Sequence, residues 1–158
     1  MIKPWKKRAG TLTYRDPWLT VRSHRMERPD GTMVDPFHII ERTEWVCICA
    51  LTESGEVVAI REYRAGADQV TLGLVGGGVE DHDPDHTTAA RRELEEETGY
   101  RVQDMIQIGR AYANWANQNN QISYFLGFSA VPTGQQKLDE SEDIEPVLIP
   151  YSAFLAYD

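Results

Sequence analysis

Alternating hydrophobic and polar residues cover most of the chain and predict β-strands. Valine, isoleucine and aromatic residues recur at every second position in short segments that end at turns. Two of these turns, Asp30-Gly31 in "RPDGT" and Gly55 in "TESGE", have the composition of tight reversals between paired strands. The predicted strands are residues 9–16, 18–28, 37–42, 44–51, 56–64, 69–78, 100–112, 122–131 and 144–150.

One segment breaks the strand pattern and predicts a helix. From about Asp85 to Thr98 there is no Gly, Pro, Val or Ile, and the residues that favour helices (Ala, Arg, Glu and Leu) predominate. Asp85 or Thr87 is suited to cap the start, and Gly99 stands where a left-handed residue commonly ends a helix. A second helix begins in "YSAFLAYD", residues 151–158.

Together these elements predict a sheet-rich α+β protein. The chain has 158 residues, 41% hydrophobic and 26% charged, which suits a globular protein that buries one core. Residues 1–41 contain several strands but too few apolar positions for a core of their own. We therefore expect a small N-terminal sheet over residues 1–41 and a main domain over residues 42–158.

Charge and targeting signals narrow the functional classes. The formal net charge of −9 argues against a nucleic-acid partner, although a small phosphorylated ligand is compatible if cations mediate the contact. The N-terminal "MIKPWKKRAG" lacks the apolar stretch of a signal peptide, and no run approaches the roughly 18 apolar residues of a membrane span. Cys47 and Cys49 share one face of a predicted strand, which favours buried thiols in a reducing, cytoplasmic protein.

The predicted helix places acidic residues on the face that also carries small apolar ones. Five residues fall within or at the edge of one arc of about 100°: Glu93, Glu96, Glu97, Ala89 and Ala90. Arg91 and Glu95 lie roughly opposite and can form a solvent-facing ion pair. Carboxylates that face the protein repel one another and cost stability unless a cation neutralises them. An oxygen-seeking ion such as Mg²⁺ or Mn²⁺ is favoured, with an ion-pair network as the alternative.

The segments that flank this arc carry a family resemblance. "GGGVE", residues 76–80, matches the opening of the Nudix box, and "RELEEETGY", residues 92–100, matches its second half. The stretches "PWLTVRSHRMERPDG", "VVAIREYR" and "KLDESEDIEPVLIPYSAF" are similar to the ADP-ribose pyrophosphatase branch of the Nudix hydrolases. The resemblance implies the Nudix fold, a mixed β-sheet sandwiched by helices, here with a small N-terminal antiparallel β-sheet.

The middle of the box departs from the family pattern. The position of the box glutamate holds Asp83 when counted forward from Gly77, and Pro84 when counted backward from Arg92, so one residue is inserted. In similar enzymes this glutamate pairs with the box arginine, and we expect Asp83 or Asp85 to reach Arg92 instead. The proline that often marks ADP-ribose specificity is also absent, and the amide-rich "ANWANQNNQ" stands near its place.

The resemblance implies a Mg²⁺-dependent hydrolase of the pyrophosphate bond in a nucleoside diphosphate linked to another group, ADP-ribose or a nucleotide sugar. It assigns the metal to the backbone of Gly76 and to Glu93, Glu96 and Glu97, with Mn²⁺ as a possible substitute. It also implies a homodimer, in which the N-terminal sheet packs against a second subunit. The alternative is a regulatory module that keeps the fold and senses such ligands without cleaving them.

The remaining roles come from the same resemblance. A late-loop glutamate acts as general base, and Glu140 aligns best, with Glu142 in reserve; Arg92 steadies the loop of the box. Arg64 is the first candidate for a phosphate clamp and Arg61 the second, because a guanidinium matches phosphate oxygens bidentately. Trp115 and Asn117 are candidates for contact with the base or sugar. The alternative for the glutamates is an acidic surface loop without a catalytic role. For the two arginines it is a surface charge on a strand, and for residues 115–117 it is a plain polar turn.

Overall fold

The computed structural model describes residues 1–157 and divides into two compact units. One unit joins Met1–Glu44 to Ala111–Gln121, and the other joins Trp45–Arg110 to the residues from Ile122 onward. In chain order the elements are β1 (Lys6–Arg15), β2 (Thr20–Glu27), β3 (Met33–Glu41), β4 (Trp45–Leu51), β5 (Glu56–Arg64), β6 (Gln69–Leu74), α1 (His86–Thr98), β7 (Tyr100–Arg101), β8 (Asp104–Tyr112), β9 (Gln121–Phe128), β10 (Val131–Pro132), β11 (Ile144–Pro150) and α2 (Tyr151–Leu155).

The first unit is built on a small antiparallel sheet in the order β1-β2-β3. The β1–β2 connection is held by Asp16, whose carboxylate accepts hydrogen bonds from the N–H groups of Trp18 and Leu19, both at 2.8 Å. The segment 111–121 is joined to β3, because the Ile40 N–H donates to the Asn117 carbonyl at 2.8 Å. The expected N-terminal antiparallel sheet is therefore confirmed.

The second unit contains a six-stranded mixed sheet in the order β11-β5-β4-β9-β8, with β6 paired to β5. β4 and β9 are parallel, while β5 is antiparallel to β4, β6 and β11. Alternate residues of β4 (Val46, Ile48 and Ala50) are fully buried. They form one core cluster with residues of β5, β9 and α1, among them Ile60, Phe125, Ala89, Ala90 and Leu94.

The ends of α1 lie where the sequence predicts them. The Asp85 carboxylate caps the first turn by accepting from the Thr88 N–H at 2.7 Å, and Gly99 ends the helix with a left-handed φ of 66°. The local sequence is sufficient to predict both ends, because Asp85 and Gly99 are single residues whose chemistry favours the start and the end of a helix. The α+β class is confirmed, and within residues 1–157 no helix is long and apolar enough to span a membrane.

Two expectations about the surroundings of α1 are wrong. The strand predicted over residues 100–112 is divided into β7 and β8, and the interruption includes Val102, which is buried. Arg91 does not pair with Glu95. Its guanidinium donates instead to the carbonyls of Val102 at 2.8 Å and Gln103 at 3.3 Å, which satisfies backbone acceptors in this break between the strands.

Candidate active site

The acidic face of α1 points into the second unit. Glu93 and Glu97 are 8% and 4% exposed, while the side chain of Glu96 lies at the edge of the same face and is 38% exposed. The burial follows from the helical period, since Ala90 and Leu94 on the same side anchor the helix to the sheet. Two carboxylates one turn apart are thereby removed from water.

A glycine-containing segment runs along β4 and faces these carboxylates. The carbonyls of Val75 and Gly77 accept hydrogen bonds from the N–H groups of Ile48 at 2.9 Å and Val46 at 3.0 Å. The N–H of Gly76, which lies between these two residues, points to the opposite edge of the segment, away from β4. Because the N–H and C=O of an extended residue point to the same edge, the Gly76 carbonyl lies on that edge too.

The other edge of this segment meets α1 directly. The Gly76 N–H donates to Oε2 of Glu97 at 3.2 Å. A Cβ added at Gly77 would overlap the carboxylate of Glu93, and one added at Gly76 would lie 2.5 Å from the Val46 carbonyl oxygen. The missing side chain of Gly77 therefore makes room for the Glu93 carboxylate, and that of Gly76 lets the segment pack closely against the backbone of β4.

Arg92 lies at the centre of an ion-pair network that includes Glu93. Its guanidinium donates to Asp83 and Glu96 at 2.9 Å each, to Glu93 at 3.0 Å and to the Gly78 carbonyl at 2.9 Å. Burial alone would lower the pKa of Arg92, but hydrogen bonds with Asp83 and Glu96 raise it above its usual range. The guanidinium thus stays charged and orients Glu93 and Glu96.

Asp83 takes the place of the absent box glutamate. Its side chain is 1% exposed and contacts both Nε and Nη2 of Arg92. The hydrogen bond with Arg92 holds the pKa of Asp83 below its usual range. Asp83 also closes a turn, because its N–H donates to the Glu80 carbonyl at 3.0 Å. The expectation that Asp83 or Asp85 reaches Arg92 is confirmed for Asp83, while Asp85 caps the helix.

The negative charge of the site exceeds what Arg92 can neutralise. Burial raises the pKa of Glu93 to about 7 and that of Glu97 to about 8, and the repulsion between these two carboxylates adds to the shift of Glu97. Within residues 1–157, no three acidic, histidine or cysteine side chains already converge as metal ligands do. The available donors are carboxylate and carbonyl oxygens, which fit a hard divalent cation and would be stabilised by it.

β5 contributes a further charged pair on the face that looks towards α1. Glu62 and Arg64 share this face with the core residue Ile60, because side chains alternate along a strand. Nη2 of Arg64 lies 2.7 Å from Oε2 of Glu62. Arg61 lies on the opposite face and pairs with Glu145 at 3.4 Å, so the structure brings Arg64, and not Arg61, towards the acidic face of α1.

The two late-loop glutamates occupy different environments. β11 begins at Ile144, which pairs with Glu62 of β5. Glu142 lies two residues earlier in a turn, where its carboxylate accepts a hydrogen bond from the Asp139 N–H at 3.0 Å. Burial is the main reason for the raised pKa of Glu93 and Glu97, and the charge of Glu142 raises both further. Glu140 is exposed at the turn before it.

The segment before Glu142 is fastened to the end of α1. The Gln136 side-chain amide donates to the Glu97 carbonyl at 2.6 Å and to the Ile144 carbonyl at 3.3 Å. The Lys137 N–H donates to the Glu96 carbonyl at 2.8 Å. These bonds satisfy carbonyls in the last turn of the helix, which have no partner within it, and they fix the base of the loop that carries Glu142.

Trp115 and Asn117 belong to the other compact unit. The Trp115 side chain is exposed, and residue 115 lies in the turn between β8 and β9. The Asn117 side-chain carbonyl accepts from the Asn114 amide at 3.0 Å, and its backbone N–H also donates to the Asn114 carbonyl. Both residues thus lie in an ordered turn stabilised by amides.

Sequence analysis missed two contributors to the site. Glu62 has the same strand parity as Arg64 and Ile60, and this alternation in "AIREYR" could have identified it. The second contributor is Gly77, whose missing side chain makes room for the Glu93 carboxylate. That contact is between residues distant in sequence, and only the folded structure shows it.

Comparisons with known proteins agree with this geometry. A family model described as the NUDIX domain matches residues 41–158, and one described as the nucleoside diphosphate sugar hydrolase N-terminal domain matches residues 5–40. The ADP-ribose pyrophosphatase of Bacillus subtilis (strain 168) is 27% identical over 122 residues, which are 76% of this chain. The match spans 64% of that relative, slightly less than two thirds of its length.

A solved structure is similar over nearly the whole chain. The crystal structure of an ADP compounds hydrolase matches with a TM-score of 0.84 and covers 98% of this chain and 83% of the other. The two sequences are 22% identical, so the similarity demonstrates the fold. It confirms the fold that the box motif implied.

Proposed function

The chain belongs to the Nudix family, and from this premise we propose that it hydrolyses the pyrophosphate bond of a nucleoside diphosphate linked to a second group. The observation that supports this most is the buried pair Glu93 and Glu97 beside the backbone of Gly76. Two buried carboxylates with excess negative charge are costly for a purely structural role, whereas they suit a site that works with a cation and an anionic substrate.

Nudix hydrolases generally use divalent metal ions. For this chain we assign Mg²⁺, with Mn²⁺ as a substitute, to the carbonyl of Gly76 and the carboxylates of Glu93, Glu96 and Glu97. When bound, the ion neutralises phosphate charge and lowers the pKa of a water molecule. Arg92 orients Glu93 and Glu96, because its guanidinium donates to both.

The remaining residues of the second unit act on substrate and proton. Arg64 binds phosphate oxygens through those guanidinium N–H groups that Glu62 does not face, and its position on the α1 side of β5 favours it over Arg61. Glu142 takes the proton of the attacking water as general base, since it faces the acidic cluster. Glu140 is the second choice for this role, because it is exposed at the turn.

We assign ADP-ribose or a nucleotide sugar as substrate. The relative from Bacillus subtilis supports ADP-ribose, and the match of residues 5–40 supports a nucleoside diphosphate sugar. Trp115 and Asn117 are the residues assigned to the base and sugar, since an exposed indole can stack and an amide can bond hydroxyl groups. The protein acts in the cytoplasm as a homodimer, with residues 1–41 as a subdomain at the interface.

The proposal is tested with a substrate panel. The protein is incubated with Mg²⁺ and ADP-ribose, several nucleotide sugars, dinucleoside polyphosphates or NADH, and the products are separated by chromatography. We expect cleavage within the pyrophosphate, which releases a nucleoside monophosphate from ADP-ribose or a nucleotide sugar. Binding without cleavage of every compound would contradict the hydrolase and support a regulatory module.

A further inference from the structure

Glu62 is a carboxylate that the box motif does not include, yet it lies among the charges of the site. Its side chain is 13% exposed, and the buried Oε2 atom makes no hydrogen bond of suitable angle within residues 1–157. The guanidinium of Arg64, 2.7 Å away, therefore compensates this burial mainly by its charge. The two side chains lie two residues apart on one face of β5.

The surroundings of Glu62 are otherwise acidic. Burial is the main reason that its pKa is raised, Arg64 opposes that shift, and the charge of Glu142 adds to it. The pKa of Glu97 is raised mainly by burial and by the charges of Glu93 and Glu142, and the charge of Glu62 adds to this shift. The Glu62 carboxylate adds negative charge beside Glu97 and Glu142 and so makes the site less stable. We therefore look for its role in the ion pair with Arg64.

Glu62 is the carboxylate that Arg64 contacts. It holds Nη2 of Arg64 from within the same strand, whereas Glu142 lies in the turn before β11 and accepts from the Asp139 N–H at 3.0 Å. The Arg64 side chain is 43% exposed, so its remaining N–H groups are available to a ligand. If Glu62 did not hold the guanidinium, the half-exposed Arg64 side chain would be free to turn into solvent, away from the position that a phosphate clamp needs.

We propose that Glu62 is a positioning residue, which holds the Arg64 guanidinium on the α1 side of β5 so that it clamps substrate phosphate. This inference rests on the proposed function, because it concerns how that site takes hold of its substrate. An arginine has five N–H donors in a fixed plane, so a carboxylate at one end orients the others.

A double-mutant cycle tests the proposal with ADP-ribose as the probe. Glu62→Gln keeps the shape and removes the charge, and it should raise KM about 5- to 20-fold while kcat changes less than about 3-fold. Arg64→Ala should raise KM at least as much, and the double variant should be no worse than Arg64→Ala alone. Glu62→Asp retains the charge and should restore most of the affinity.

Glu145→Gln is the matched control. Glu145 pairs with Arg61 across the same two strands but on the opposite face, so its loss should leave KM unchanged. Additive effects of Glu62→Gln and Arg64→Ala would overturn the proposal, as would an unchanged or lowered KM in Glu62→Gln.

The same cycle is measured as the dissociation constant for ADP-ribose with Ca²⁺ in place of Mg²⁺. Non-additive losses of binding there would support the role of Glu62 even in a protein that cleaves nothing. Wild-type binding without hydrolysis contradicts only the proposed function. Normal hydrolysis with an additive cycle contradicts only the role of Glu62.

Discussion

At the scale of single residues, charge and reach decide which side chains can act. Asp83 is one methylene shorter than the glutamate of the family pattern, and its carboxylate nevertheless contacts the Arg92 guanidinium at 2.9 Å. The sequence limits the acid that contacts Arg92 to two residues, Asp83 and Asp85, because counting along the box reveals the insertion. Alignment along the sequence favours Glu140 as the base, whereas the charge interaction of Glu142 with Glu93 and Glu97, which makes it the proposed base, depends on the fold.

The two late-loop glutamates are expected to differ strongly when substituted. Glu142→Gln should lower kcat by about 10²- to 10⁴-fold with little change in KM, since a general base acts on the chemical step. Glu140→Gln, the matched control on the exposed part of the same turn, should retain kcat within about 3-fold. Steady-state kinetics on both variants decides the assignment, and a crippled Glu140→Gln beside an active Glu142→Gln would reverse it.

At the scale of elements, local signals account for what could be predicted. The bounds of α1 follow from Asp85 and Gly99, which act on the backbone beside them. The break between β7 and β8 was missed, because it depends on Val102 entering the core and on Arg91 reaching its carbonyl. The attachment of the Glu142 loop to α1 was missed as well, since Gln136 bonds to the carbonyl of Glu97, which is distant in sequence.

Loss of this fastening should loosen the loop without unfolding the protein. Gln136→Ala removes both bonds, so amides of residues 137–143 should exchange hydrogen faster, and kcat should fall about 3- to 10-fold as Glu142 loses its orientation. Hydrogen-exchange mass spectrometry measures the first effect and kinetics the second. Gln135→Ala, at an exposed neighbouring residue, is the control, and equal exchange in both variants would contradict a role for Gln136.

At the scale of the whole molecule, the first unit leaves apolar surface uncovered. All ten residues of β1 are exposed, including Leu12 at 48% and Tyr14 at 53%, and Trp18 in the following turn is 78% exposed. A three-stranded sheet gains stability when such a face is covered. The sequence already indicated this, because residues 1–41 contain too few apolar positions for a separate core.

The proposed homodimer covers this face. Light scattering at micromolar concentration should give twice the chain mass of 18.0 kDa, and Leu12→Arg should shift the protein towards the monomer by placing a charge in an apolar interface. A melting temperature of the monomeric Leu12→Arg variant equal to that of the wild type would show that the substitution does not disrupt the fold. A wild-type monomer at these concentrations would contradict the homodimer.

We propose that the buried carboxylates of α1 support metal-dependent cleavage of a pyrophosphate. The most direct measurement is the rate of AMP release from ADP-ribose during a Mg²⁺ titration, for the wild type and for Glu97→Gln of equal melting temperature. We predict no turnover without a divalent ion, and a rate about 10²-fold or more lower in Glu97→Gln at saturating Mg²⁺. Wild-type turnover by Glu97→Gln, or release of AMP that does not depend on a divalent ion, would contradict the claim.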